Sequence, residues 1–83
     1  RAGLGMKHPQ AQAALSMEGN SLLGLGRARE ALAPFEELLA LRVEAHGPIH
    51  PETALAASDL ADALRASGDT VRAEALEATH VAP

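Results

Sequence analysis

The chain matches itself at an offset of 42 residues, and this duplication limits its fold more than any other feature. Gly5, His8, Pro9, Ala14, Ser16, Leu22, Gly26, Ala31, Ala33 and Ala40 fall on Gly47, His50, Pro51, Ala56, Ser58, Leu64, Gly68, Ala73, Ala75 and Ala82. Ten of 41 aligned pairs are identical, against about four expected by chance in so alanine-rich a chain. The weight lies in which residues match, because they include the glycines and prolines that punctuate structure. A period in this range belongs to architectures in which one supersecondary unit is stacked on the next.

Each unit opens with Gly-x-x-His-Pro, Gly5 to Pro9 and Gly47 to Pro51. Proline lacks an amide hydrogen that the first helical turn leaves unpaired anyway, so Pro9 and Pro51 predict helix starts. From Pro51, Ala57, Leu60, Ala61 and Leu64 follow the i, i+3, i+4, i+7 stripe of an amphipathic helix A, up to Gly68. The counterpart from Pro9 to about Leu25 puts Leu15, Glu18, Gly19 and Leu22 on that stripe. Gly19 and Gly24 each cost such a helix about 1 kcal/mol relative to alanine, so either neighbours press against them or this end is loose. After Gly26, the stripe Ala28, Ala31, Leu32, Phe35, Leu38, Leu39 predicts helix B, ending before Gly47 and bent at Pro34. A short final helix is expected from an Asp69 N-cap to about Val81, with Ala73 and Leu76 turned inward. No stretch alternates with period two over strand length, so the expected fold class is all-α: two antiparallel helix-turn-helix repeats, about four helices.

Eighty-three residues make one small domain, 1–83, divided into a first repeat at about 8–46 and a second at about 50–81. Of the 39 apolar residues 19 are alanine, so the core must be thin and its backbones must approach closely. Absence of cysteine excludes disulfides and thiolate metal sites. A net charge of -4 disfavours nucleic acid or an anionic membrane as partner, and no apolar run reaches the roughly 18 residues of a membrane span. The chain begins at Arg1 with no basic-then-apolar leader, which reads as a piece of a longer, cytoplasmic polypeptide.

Paired helices with small residues at their junction, a glycine at the turn and Gly-Pro-x-His-Pro between units resemble the tetratricopeptide repeat. The 42-residue period resembles its kinesin-light-chain-type variety. The matching residues are Gly5, His8, Pro9, Leu22, Gly26, Ala31, Phe35 and Leu38, then Gly47 to Pro51, Asp59, Leu60, Ala61, Leu64, Gly68, Ala73 and Glu74. Departures are Glu18 and Gly19 where Leu and Ala are usual, Glu77 and His80 where an aromatic and an alanine are usual, and the absence of tyrosine. The resemblance implies an α-solenoid fragment whose helix A faces line a concave groove for extended or helical peptides. The groove positions are Ala13, Ser16, Met17, Asn20 and Leu23, then Leu55, Ser58, Asp59, Asp62 and Arg65. Met17, Leu23 and Leu55 would supply apolar contact, the polar groups would pair with a partner's backbone, and Asp59 and Asp62 would favour a basic ligand.

Other constellations read as structural. His46 and His50 have the i, i+4 spacing of a helical metal pair, but Gly47 and Pro48 interrupt the helix and no H-E-x-x-H occurs. His80 is expected exposed or half-buried near a frayed end. Asp59 and Asp62 at i, i+3 resemble many solvated pairs, and no serine has a strand-turn-helix setting, so neither catalysis nor a cofactor is expected. Gly24-Leu25-Gly26 has no preceding strand and no phosphate-loop lysine. Glu36, Glu37, Arg27, Arg29 and Arg42 are expected to face solvent on helix B. The expected function is a non-enzymatic interaction scaffold for a protein or peptide. The alternatives are an oligomerising segment, in which exposed repeat ends of two copies pack together, or a regulatory segment of a bacterial signalling protein such as a kinase or transcriptional regulator. About three repeats are usually required for stability, so two imply a longer array or self-association.

Overall fold

A computed structural model describes residues 9–80, all in helices or the turns between them. α1 (Pro9–Gly24) and α2 (Ala28–His46) form one hairpin; α3 (Pro51–Ala66) and α4 (Thr70–His80) form the other. α1 and α3 are each 16 residues long and start and end 42 residues apart; α2 and α4 also start 42 apart. Val81 and His8, at the expected repeat bounds, lie outside the described residues.

The duplication extends to single hydrogen bonds. At the end of α1, Gly26 N–H donates to Leu23 O (3.0 Å) and Arg27 N–H to Leu22 O (2.8 Å); at the end of α3, Gly68 N–H donates to Arg65 O (3.1 Å) and Asp69 N–H to Leu64 O (2.7 Å). This is the Schellman arrangement, which requires a left-handed residue, and Gly26 and Gly68 supply it with φ of 81° and 97°. Asp69 then caps α4 by accepting from Arg72 N–H at 3.1 Å. Arg27, the residue equivalent to Asp69, has no acceptor and leaves α2 without a side-chain cap.

Each helix packs chiefly on its chain neighbours, so α2 and α3 are covered on two sides and α1 and α4 on one. The molecule measures 39 × 30 × 14 Å, thin enough that every helix keeps a solvent face. Ala31, Phe35 and Leu38 of α2 meet Ala56, Leu60, Ala61, Ala63 and Leu64 of α3 and Ala73 of α4 in one buried cluster. Leu15, Leu22 and Leu23 of α1 reach it only in part. α2 runs unbroken through Pro34, whose ring is buried. The two interior glycines differ. Gly19 lies under the Phe35 ring, and a Cβ there would fall inside the ring's van der Waals boundary, whereas Gly24 has nothing within 4 Å.

The linker between hairpins is tied by side chains on both sides of it. Fully buried Thr53 places its hydroxyl 2.8 Å from Gly47 O and 3.2 Å from Arg42 O, sharing one proton between carbonyls at the end of α2. His50 caps α3 by accepting at Nδ1 from Glu52 N–H (3.1 Å), and its ring stacks on His46 with centroids 4.3 Å apart. His80, half-buried, donates from Nδ1 to Pro48 O at 2.9 Å and fastens α4 to the same linker.

Candidate interaction face

The ten groove positions lie on α1 and α3 at matching levels, as the 42-residue register of the two helices requires. On α1, Ala13, Met17 and Asn20 are exposed, Met17 to 69%. Ser16 is half-buried and accepts from Asn20 Nδ2 at 3.4 Å. Leu23 is half-buried and packs partly into the core, so less of it is available to a ligand. On α3, Leu55 is 58% exposed, Asp62 is exposed, and Ser58 and Asp59 are half-buried. Arg65 is turned to α4, where its guanidinium forms a two-pronged pair with Glu77; Nη1 donates to Oε2 at 3.0 Å. Asp62 lies 3.8 Å from the same guanidinium.

Arg42 corrects the expectation of a solvent-facing charge. It is half-buried and joins three helices: Nε donates to Gln12 Oε1 on α1 (3.3 Å), and Nη1 donates to Glu52 O on α3 (3.0 Å). An aliphatic stem long enough to cross the junction, ending in a five-donor fork, makes this possible. Glu36 also finds a partner, Arg72 of α4 at 3.3 Å. Arg27, Arg29 and Glu37 are exposed. The stripe of helix B was the available signal, since Arg42 follows Phe35 by seven residues and Leu38 by four and so stands on the inner side.

The electrostatics of the face are uneven. Burial pushes the Asp59 carboxyl above its ordinary value, Asp62 pushes it further, and Arg42 offsets part of the rise. The hydrogen bonds from Arg65 hold the Glu77 carboxyl below its ordinary value, and the guanidinium charge adds to the effect. Among the described residues, no group of three or more His, Cys, Asp or Glu side chains is placed to hold a metal ion. His46 and His50 stack face to face, and His50 Nδ1 is already engaged by the cap. No helix among the described residues is long and apolar enough to cross a membrane.

No curated protein and no solved structure matches the chain. The family model of the tetratricopeptide repeat matches residues 10–82 and does not single out the kinesin-light-chain-type variety. Repeats of this family are non-catalytic modules that mediate protein–protein interaction. Four helices among the described residues, in two hairpins repeated at 42 residues and closed by the same glycine turn, and a family match over 73 of 83 positions make this chain a member of the tetratricopeptide repeat family.

Proposed function

We propose that the chain holds a protein or peptide segment along the joint face of α1 and α3, and that this binding is its whole function, with no catalytic step. The observation that carries the reading is the exposure of Met17 and Leu55, 69% and 58%, on helices whose opposite sides bury the core. Large apolar side chains on a rigid helix face, beside polar groups, suit a partner that contributes both backbone hydrogen bonds and apolar anchors.

Panning the 83-residue chain against a phage-displayed library of random dodecapeptides tests the reading. Selected peptides are expected to lose at least about tenfold in affinity on Met17→Ser/Leu55→Ser, a loss of the size that removal of two apolar anchors gives, and to be unaffected by Glu36→Ala/Arg72→Ala on the other side. The reverse pattern would defeat it. Self-association through the outer helices is the competing reading, and sedimentation of the same chain at micromolar concentration would reveal it as a dimer.

A further inference from the structure

We infer that the α1/α3 face takes an extended peptide carrying an apolar residue followed two or three positions later by a lysine or arginine, with the apolar residue toward the N-terminal end of α3. This rests on the reading of that face as a peptide groove. Its apolar and acidic parts are staggered along α3. Ala13 and Leu55 occupy the second turn of α1 and α3, Met17 stands one turn further along α1 at the level of Asp59, and Asp59 and Asp62 follow Leu55 by four and seven residues. At about 1.5 Å of rise per residue those intervals are roughly 6 and 10.5 Å. An extended strand advances about 3.3 Å per residue, so the same interval corresponds to about two to three ligand residues.

Charge selects the second ligand residue. Arg65 spends its fork on Glu77 and lies 3.8 Å from Asp62. Arg42 is committed to Gln12 and to Glu52. Neither cation makes an ion pair with Asp59, which stands beside a like charge in a half-desolvated setting. Among the described residues, carboxylates outnumber the two guanidiniums there, so a cationic side chain from a partner meets net negative charge, while an acidic ligand meets repulsion. The exposed Leu55 gives the neighbouring ligand residue its apolar seat, and Met17 offers apolar contact one turn further along α1.

The same library distinguishes failure of this inference from failure of the groove reading. Selected peptides are expected to share apolar-x-(Lys/Arg) or apolar-x-x-(Lys/Arg) and to lose about tenfold in affinity on Asp59→Asn/Asp62→Asn. Replacing the peptide's basic residue by Gln should give a similar loss, and the two losses together should fall short of their product because one interaction is removed twice. Raised salt should weaken the parent complex more than the complex with the double variant. Peptides that need Met17 and Leu55 but carry no basic residue at that spacing, or ignore the double variant, would overturn the inference and leave the groove reading intact. Peptides indifferent to Met17→Ser/Leu55→Ser, or a library that yields no binder, would overturn both. The double variant is isosteric at exposed or half-exposed positions, and an unchanged or higher melting temperature confirms that a lost affinity is not lost folding.

Discussion

Leu23 and Phe35 of the first hairpin stand where Arg65 and Glu77 stand in the second. The first pair belongs to the apolar interior: Phe35 is fully buried over Gly19, and Leu23 packs against the same cluster. The second joins its helices by a charged fork at the surface. Residue 19 against 61 follows suit, glycine under the large ring and alanine in the buried cluster. One backbone geometry thus accepts two chemistries for closing a hairpin. The difference tracks position: Phe35 lies on α2, covered from both sides, and Glu77 on α4, covered from one. α1 shows the same trend, with exposed Glu18 and Ser21 at the positions of buried Leu60 and Ala63. A further hairpin stacking on α4 as α3 stacks on α2 would have to cover an ion pair, which costs more desolvation than covering a phenyl ring.

The comparison breaks most visibly at Phe35. Phe35→Ala is expected to cost about 3–5 kcal/mol, enough to unfold a domain this small, whereas Glu77→Ala should shift a urea or thermal transition only slightly. Equal effects would mean that the two closures carry similar weight. Gly19→Ala comes next: despite alanine's better helix propensity, the ring must move, and a loss of about 1–3 kcal/mol is expected. Gly24→Ala, in open space at the last residue of α1, should instead stabilise by a fraction of the roughly 1 kcal/mol found in a helix interior; a gain at both positions would remove Gly19 from its packing role. Thr53→Val keeps the shape but leaves two carbonyls without their shared donor, for about 1–2 kcal/mol by the same measurement.

Asp59→Asn gives the smallest effect and the clearest pH signature. Because the folded state raises this carboxyl, it binds more protons than the unfolded chain above pH 3.8, so stability contributed at this site declines as pH rises from there through the folded value. The asparagine variant should therefore be the more stable form at neutral pH and equal to the parent below pH 3.8; paired melts across that range decide it. Glu77 has the opposite sign. Its lowered value makes the Arg65 pair a contribution present above the ordinary carboxylate range and lost as pH falls through it.

Helix positions, turns and fold class were legible because they rest on local chemistry: proline at a first turn, glycine at a left-handed residue, a 3.6-residue stripe. Of the candidate face, what was legible is that Ala13, Met17, Leu55 and Asp62 stay exposed, since the buried stripe occupies the other side of each helix. What escaped depends on reach across helices. Arg42, a surface charge by sequence, spans α1, α2 and α3 only because its stem fits between them. Thr53 escaped because a hydroxyl latch has no period, and His50, read as part of the linker, was not read as the cap of α3. Gly19 could be read two ways until the Phe35 ring was found above it.

The paired glycine turns have a consequence for how such a chain varies. Leu22 to Arg27 and Leu64 to Asp69 share one set of main-chain bonds while differing at Leu23 and Arg65, Gly24 and Ala66, Leu25 and Ser67, Arg27 and Asp69. Pitch is written into the main chain, so side chains can drift from grease to charge without the next rod losing its place.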